Sequence, residues 1–279
     1  MPVRIALVHD YLNQYGGAER VLEALHALYP QAPVYTSLYD EQAMPALYRT
    51  WDIRTSFLQR LPRRLAVARL YFALYPRAFA SFDLRGYDLI LTSSSAFAKG
   101  ITPPPEACHI CYCHNPARFL WNTAAYLHQE RIGKFGHALL APALARLRRW
   151  DLATNERVHA FIANSQTVAG RIARFYHRES TVIHPPVDIS SFPLAHGRGE
   201  YFLTGGRLVP HKRFDLAVAA CTEMGLPLIV FGGGRDLARL ERLAGPTVRF
   251  VGRVSEEHLR ELYRDCRALL FPSEEDFGI

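Results

Sequence analysis

Short apolar runs, each followed by a polar or glycine-rich stretch, recur along the first two thirds of the chain. They lie at residues 4–8, 34–36, 89–92, 109–113 and 160–163, and each predicts a strand. The segments between them are rich in Ala, Leu and Arg and predict helices, the first of them over residues 18–28. This alternation of strands and helices predicts an α/β fold with a parallel sheet.

The pattern starts again near residue 201. Residues 201–204 predict another strand, Gly205 and Gly206 a turn, and residues 215–221 an amphipathic helix. Arg207 and Lys212 therefore fall at a strand-to-helix junction. Open parallel sheets bind phosphates at such junctions, so these two cations are candidate ligands for an anionic group.

A break between the two halves is predicted at His184-Pro185-Pro186-Val187-Asp188, because two consecutive prolines continue neither a helix nor a central strand. The sequence therefore predicts two domains, residues 1–185 and residues 186–279. With 279 residues, 49% of them hydrophobic, the chain can form a sizeable core in each.

The formal net charge of +7, with Arg far outnumbering Lys, suits an anionic partner. A nucleotide diphosphate, a phospholipid headgroup and a nucleic acid all fit the charge alone. No nucleic acid is expected, because the arginines are dispersed and no nucleic-acid-binding motif accompanies them. Residues 1–8 read as a first strand rather than a signal peptide, and no apolar run approaches the ~18 residues of a membrane span, so a cytoplasmic location is expected.

Three cysteines lie within residues 108–114: Cys108 directly before the predicted strand 109–113, and Cys111 and Cys113 in it, with His114 directly after. Their spacing is not a usual zinc pattern, and no second paired cluster exists in the sequence. Alternation along a strand puts Cys111 and Cys113 on one face, which favours structural thiols over a metal site.

Four elements of the second half carry a family resemblance in one order. The chain resembles the family-four retaining glycosyltransferases of the GT-B fold through Gly205-Gly206-Arg207-Leu208 with Lys212 and Asp215, Val230-Phe231-Gly232-Gly233-Gly234, Val248-Arg249-Phe250-Val251-Gly252, and Phe271-Pro272-Ser273 with Glu275, Phe277 and Gly278. The resemblance implies two Rossmann-like domains facing across a cleft. The first would serve the acceptor and the second a nucleotide-sugar donor.

The resemblance also assigns site residues. Arg207 and Lys212 match the pyrophosphate-binding pair, and Glu275 matches a glutamate that meets hydroxyls of the donor sugar beside the reacting carbon. Gly16 and Gly17 resemble the first glycine-rich loop, whose amides approach the donor closely. Ordinary surface charge, a solvated acidic turn and a simple glycine turn are the alternative interpretations of these three features.

The segment from Tyr112 to Trp121 resembles a stretch common among bacterial mannosyltransferases of this family. It implies that His114 hydrogen-bonds a donor-sugar hydroxyl or shapes the acceptor site, and that Arg118 meets phosphate on an acceptor. GDP-mannose is therefore the predicted donor, with UDP-sugars as an open alternative. No Asp-x-Asp is present, so the prediction is metal-independent transfer without a cofactor.

A basic amphipathic segment at residues 58–72 carries four arginines among aliphatic and aromatic residues. It fits peripheral contact with anionic lipid at the inner face of the membrane, and equally an ordinary helix with its apolar face packed inward. With membrane contact, the expected acceptor is a lipid-linked glycan; a polysaccharide is the alternative.

The family signature pairs Glu275 with a second glutamate eight residues further on, past residue 279. The sequence therefore predicts a second domain that lacks its end, in a fragment or truncated product. This expectation keeps open another class of function, in which the chain binds an acceptor or a partner without catalysis.

Overall fold

A computed structural model describes residues 3–61, 71–123, 134–189, 192, 199–273 and 277. Its contacts divide the chain into two compact units, Met1–Pro186 together with Asp276–Ile279, and Val187–Glu275. Each unit is built around its own parallel sheet, and each is described separately below.

The first unit contains seven parallel strands within the described residues. They are ordered β3-β2-β1-β4-β5-β6-β7 across the sheet. The strands are β1 Ile5–His9, β2 Val34–Thr36, β3 Ile53–Thr55, β4 Leu89–Ser94, β5 Cys108–Cys113, β6 Ala160–Ala163 and β7 Ser180–Val182. The described helices are α1 Gly17–Leu28, α2 Tyr75–Ala80, α3 Arg118–Trp121, α4 Lys134–Ala153 and α5 Gln166–Tyr176.

Strand β1 runs through the middle of this unit and is buried on both faces. Leu7 packs into a cluster with Leu22 of α1, whereas Ala6 and Val8 face a second cluster on the other side of the sheet. A parallel sheet covered on both faces needs strands that are apolar at every position, which explains the uninterrupted apolar run at the start of the sequence.

The second unit contains four parallel strands within the described residues, in the order β10-β9-β8-β11. They are β8 Tyr201–Arg207, β9 Leu228–Gly233, β10 Val248–Gly252 and β11 Cys266–Leu269. The helices are α6 Phe214–Glu223, α7 Leu237–Leu243 and α8 Glu256–Asp265. Phe214, Val218 and Leu240 pack with Val230 on one face of the sheet.

The predicted turn at Gly205 and Gly206 is wrong, because both residues belong to β8. They pair in register with Phe231 and Gly232 of β9. A Cβ on Gly232 would lie 1.8 Å from the carbonyl oxygen of Gly206, and Gly232 has a φ of 100°. The glycines therefore let two strand ends approach each other more closely than side chains would permit.

The cysteine-rich strand β5 lies inside the first sheet. Cys111 and Cys113 pack with Phe161 of β6, and the described cysteines are free thiols. Burial raises the pKa of the Cys111 thiol to about 12 and that of Cys113 well above its usual value. Across the described ranges, no group of three or more His, Cys, Asp or Glu is arranged to hold a metal ion.

Among the helices that the structure describes, none is both long enough and apolar enough to cross a membrane.

A buried ion pair connects the end of α4 to the loop after β4. Lys99 Nζ lies 2.8 Å from Asp151 Oδ1, and both side chains are almost fully enclosed. Lys99 also donates to Thr154 Oγ1 at 2.7 Å, and Trp121 Nε1 donates to Asp151 Oδ2 at 2.7 Å. Three separate segments are thus joined at one pair of charges.

Replacing Lys99 by Met should destabilise the protein strongly, because it leaves the Asp151 carboxylate buried without its counter-charge. We expect the free energy of unfolding to fall by about 3–5 kcal/mol. Urea unfolding followed by tryptophan fluorescence measures this loss. Arg85→Gln is the control, since it breaks an exposed pair with Asp83. Equal unfolding midpoints for the two variants would contradict the expectation.

Strand β5 also buries His109, which is fully enclosed. Its Nδ1 lies 3.0 Å from the carbonyl oxygen of Arg157, and its Nε2 lies 3.1 Å from Thr92 Oγ1. Burial lowers the pKa of His109 to about 4. The ring therefore stays neutral in the folded protein under conditions where it becomes protonated in the unfolded chain.

This difference predicts a loss of stability in mild acid. Below about pH 6.5 the unfolded chain binds a proton at His109 that the folded protein does not, so stability falls as the pH falls towards about 4. Between pH 6.5 and pH 5 the contribution is about 2 kcal/mol. Unfolding free energies of His109→Asn, measured at both pH values, should show a pH dependence smaller by this amount; identical slopes for variant and parent would refute it.

Candidate functional site

The carboxyl ends of β1 and β4 lie side by side at the topological switch point of the first sheet, where the order of successive strands reverses. From β1 the chain builds outward to β3, and then returns to place β4 on the other side of β1. Open parallel sheets bind ligands outside such switch points. The residues that follow these two strands therefore form the candidate site of the first unit.

Asp10, directly after β1, is buried and organises the loop that follows β4. Its Oδ1 accepts hydrogen bonds from the backbone N–H groups of Phe97 and Ala98, each at 2.7 Å. Its Oδ2 accepts from the N–H and hydroxyl of Ser95 and from the N–H of Ala96. A buried carboxylate requires such donors, and this requirement folds the loop around Asp10.

Two histidines at this edge are connected through one serine hydroxyl. His9 ends β1 and pairs in register with Ser93 of β4, and its Nδ1 lies 3.0 Å from Ser93 Oγ. His9 Nε2 lies 3.4 Å from Oε1 of Glu19 in α1. On the other side, Ser93 Oγ lies 2.8 Å from Nε2 of His114, which follows β5. Four polar side chains thus form a continuous chain.

His114 sits at the end of β5 with its ring partly buried. Asn164 Nδ2 donates to the backbone carbonyl of His114 at 3.0 Å and fixes the main chain there. Burial, together with the nearby His9, lowers the pKa of His114 to about 3. The ring is therefore neutral at physiological pH, with one nitrogen as a hydrogen-bond donor and the other as an acceptor.

The glycine-rich connection between β1 and α1 lies at the same edge. Gly16 is the N-cap residue of α1 in extended backbone conformation, and Gly17 is the first helical residue. Gly16 has no side chain to cap the helix, so its first turn presents backbone N–H groups that a ligand can use. Arg118, the first residue of α3, is exposed two residues beyond Pro116.

In the second unit, the switch point lies between β8 and β11, because the chain builds outward from β8 to β10 and then returns to β11. Arg207 ends β8, and Lys212 lies in the short 3-10 helix Pro210–Lys212 that follows. Lys212 Nζ stands 5.9 Å from the ring centroid of Phe271, just after β11. Both predicted cations therefore belong to the loops at this switch point.

Arg213 is adjacent to Lys212 but differs in its surroundings. Its backbone is left-handed, with a φ of 54°, and it is the N-cap residue of α6. Its Nε lies 3.2 Å from Asp215 Oδ1 within the first turn of that helix. Asp215 is thus a defined structural partner of Arg213.

Two predicted features lie outside the described residues, entirely or in large part. Glu275 is not among the described positions, so its role stays a prediction. Of the basic segment 58–72, the structure describes only residues 58–61 and 71–72.

The structure thus brings Gly16, Gly17 and His114 to the switch point of the first sheet, and Arg207 and Lys212 to that of the second. The sequence prediction did not include His9, Glu19, Ser93 and Asp10. A signal for two of them exists, since His9 and Asp10 directly follow the first apolar run. Polar residues at the carboxyl end of a buried parallel strand are candidates for a ligand site.

The family model of Glycosyltransferase Family 4 matches residues 15–191, and that of Glycosyl transferases group 1 matches residues 186–279. No curated protein sequence matches the chain significantly.

Several solved glycosyltransferase structures have a similar fold. HepE from Anabaena, in complex with UDP-glucose, is 17% identical with a TM-score of 0.61, over 96% of this chain and 74% of that one. WaaG, a glycosyltransferase involved in lipopolysaccharide biosynthesis, is 15% identical with a TM-score of 0.53, over 96% and 75%. Os79 from O. sativa, in complex with UDP, is 11% identical with a TM-score of 0.57, over 96% and 76%.

These neighbours and the two parallel α/β units confirm the predicted α/β fold class of the GT-B type. Because the first family model covers more than half of the sequence, the chain belongs to glycosyltransferase family 4 and is a glycosyltransferase.

Proposed function

We propose that the protein is a retaining, metal-independent hexosyltransferase that uses GDP-mannose and acts on a lipid-linked or polysaccharide acceptor. The observation that carries the proposal is the position of Arg207 and Lys212 at the switch point between β8 and β11. The leaving group of a nucleotide sugar is a diphosphate, and cations and backbone donors can stabilise its developing charge without a metal ion.

The close approach of β8 and β9 supports this role. Gly206 and Gly232 leave no side chain between the two strand ends, and a Cβ on Gly234 would lie 2.2 Å from the carbonyl oxygen of Leu208. Main-chain N–H groups at such an edge stay accessible to a phosphate group, whereas side chains would keep it away. The diphosphate is therefore proposed to bind against this edge, with Arg207 and Lys212 as its counter-charges.

In the proposed reaction the first unit contributes mainly uncharged contacts, with Arg118 as its charged contact. The neutral ring of His114 can hydrogen-bond a hydroxyl group of the donor sugar or of the acceptor. The amides that follow Gly16 and Gly17 offer donors at the start of α1. Arg118 is proposed to meet phosphate on the acceptor, and Glu275 to meet hydroxyls of the donor sugar.

The choice of GDP-mannose as the donor rests on the segment from Tyr112 to Trp121, which resembles that of bacterial mannosyltransferases. A UDP-sugar is the second candidate donor, and it is favoured by the similar structures of HepE with UDP-glucose and Os79 with UDP. A third candidate is binding of an acceptor or partner without catalysis. The three differ in nucleotide binding, since a chain that only binds an acceptor should hold neither GDP nor UDP.

Replacing Lys212 by Gln should weaken nucleotide binding, because a charge-assisted hydrogen bond to the diphosphate is lost. A contribution of about 1.5–3 kcal/mol for such a bond corresponds to an affinity about 10- to 150-fold lower. Isothermal calorimetry with GDP and UDP, each in EDTA and in excess magnesium, measures the affinity and shows whether nucleotide binding depends on a metal ion.

The matched control is Arg213→Gln, which makes the same chemical change one residue further along. Arg213 pairs with Asp215, so we expect its loss to change nucleotide affinity by less than about threefold. Equal losses in both variants would mean that Lys212 has no specific role. Absence of binding of either nucleotide to the parent protein would favour the non-catalytic function instead.

The membrane part of the proposal rests on the composition of residues 58–72. We propose that this segment contacts anionic lipid at the inner face of the membrane, with the enzyme in the cytoplasm, where a lipid-linked acceptor would be presented. Each arginine near an anionic surface contributes about 1 kcal/mol to such binding. The interaction should therefore weaken as the salt concentration rises.

Vesicle flotation tests this contact. The full chain should float with vesicles that contain anionic phospholipid, and the double variant Arg63→Glu with Arg64→Glu should bind at least about tenfold more weakly. Arg146→Glu with Arg149→Glu is the control, because it reverses two exposed charges on α4. Equal effects of the two double variants, or no flotation of the parent protein, would exclude the proposed contact.

A further inference from the structure

The polar chain at the switch point of the first sheet is sealed from solvent along most of its length. Ser93 is fully buried, His9 is 2% exposed and Glu19 is 3% exposed. Of the four residues, only His114, at the far end, is partly exposed. Buried polar groups are expected to have their hydrogen-bonding capacity matched, so the donor and acceptor roles along this chain depend on one another.

The carboxylate of Glu19 determines which group donates and which accepts in each hydrogen bond of this side-chain network. An ionised carboxylate only accepts hydrogen bonds, so the ring nitrogen that faces it, His9 Nε2, must carry a hydrogen. The Nε2 to Oε1 distance of 3.4 Å is longer than is usual for a charge-assisted hydrogen bond. With a single ring hydrogen, on Nε2, His9 accepts the hydroxyl hydrogen of Ser93 at Nδ1.

The same constraint passes on to His114. Since the single hydroxyl hydrogen of Ser93 is donated to His9, Ser93 Oγ can only accept from His114 Nε2, 2.8 Å away. The opposite direction would place the unprotonated Nε2 of His9 against the Glu19 carboxylate, with two acceptors facing each other. A neutral His114 that carries its hydrogen on Nε2 has a free lone pair on Nδ1.

Among the residues that the structure describes, none provides a hydrogen-bond partner for His114 Nδ1. We propose that Glu19, His9 and Ser93 are positioning residues that hold His114 with Nδ1 unprotonated, so that it accepts a hydrogen bond from a hydroxyl group of a sugar substrate. This inference deepens the proposed transferase function and rests on it for the identity of the ligand. The direction of the hydrogen-bond chain, however, is a property of the protein alone.

Nitrogen NMR of the full chain labelled with 15N-histidine tests that direction without any assay of activity. Protonated and unprotonated ring nitrogens have well-separated 15N shifts, and loss of a signal in His114→Asn assigns the ring. At neutral pH we expect Nε2 of His114 to be protonated and Nδ1 to be unprotonated. A proton on Nδ1 in the parent protein would overturn the proposal.

The variant Glu19→Gln then tests the origin of the preference. A glutamine amide can accept from or donate to His9, so both directions of the chain become accessible and the 15N shifts of His9 and His114 should both move towards averaged values. The control is Glu23→Gln, the same change one turn further along α1, where the carboxylate accepts from Tyr15. A change confined to His9, or an equal change with Glu23→Gln, would refute the connection.

Variants at Ser93 distinguish an effect carried by the hydrogen bonds from a general structural effect. In Ser93→Ala the connection is cut, so adding Glu19→Gln should no longer alter the His114 shifts. With whichever donor supports turnover, Ser93→Ala and Glu19→Gln should each lower kcat about tenfold with little change in KM, and Ser93→Thr should restore it. If Glu19→Gln still shifts His114 in the Ser93→Ala background, the chain does not carry the effect. If no donor supports turnover, the proposed transferase function fails, while the NMR result still decides the inference.

Discussion

The burial of the Asp10 carboxylate is the constraint on which the first unit depends. A carboxylate enclosed in protein must be surrounded by donors, and here they come from four consecutive residues of the loop after β4. The loop is thereby held beside the end of β1. Because His9 and Ser93 are register partners in these two strands, the same constraint brings their side chains together. The geometry of His114 then follows from that of Ser93.

The second unit reaches a comparable arrangement by different means. Its switch point is formed by the close approach of glycine-containing strand ends rather than by a buried charge. One edge is therefore lined by enclosed, mutually bonded polar side chains and the other by main chain with basic residues beside it. The first arrangement suits uncharged hydroxyl groups, and the second suits a diphosphate. This difference between the two edges agrees with the proposed transferase function, in which sugar hydroxyl groups meet the first edge and a diphosphate meets the second.

Five of the seven strands of the first sheet were predicted, because a parallel sheet covered on both faces favours apolar runs such as that of β1. Strands β3 and β7, of three residues each, contain no such run and were not predicted. The positions of Arg207 and Lys212 were predictable because a strand-to-helix junction is a local feature. Glu19, by contrast, reads as an ordinary helical residue until the fold brings it within reach of His9. The contact between Ser93 and His114 depends on the pairing of β4 with β5, which no local pattern specifies. Gly205 and Gly206 read as a turn because local propensity does not reveal that a neighbouring strand lies against them.

The ion pair of Lys99 and Asp151 has a consequence for motion. It joins the loop that Asp10 organises to the end of α4, and Trp121 of α3 is bonded to the same carboxylate. Separating the loop from the end of α4 would expose one charge while the other stays enclosed, and moving α3 away would remove a hydrogen bond from the enclosed carboxylate, so partial opening is costly. The loop after β4, α3 and the end of α4 should therefore exchange their amide hydrogens as one cooperative unit. The loop that surrounds Asp10 at the candidate site would then belong to the slowest-opening part of the molecule.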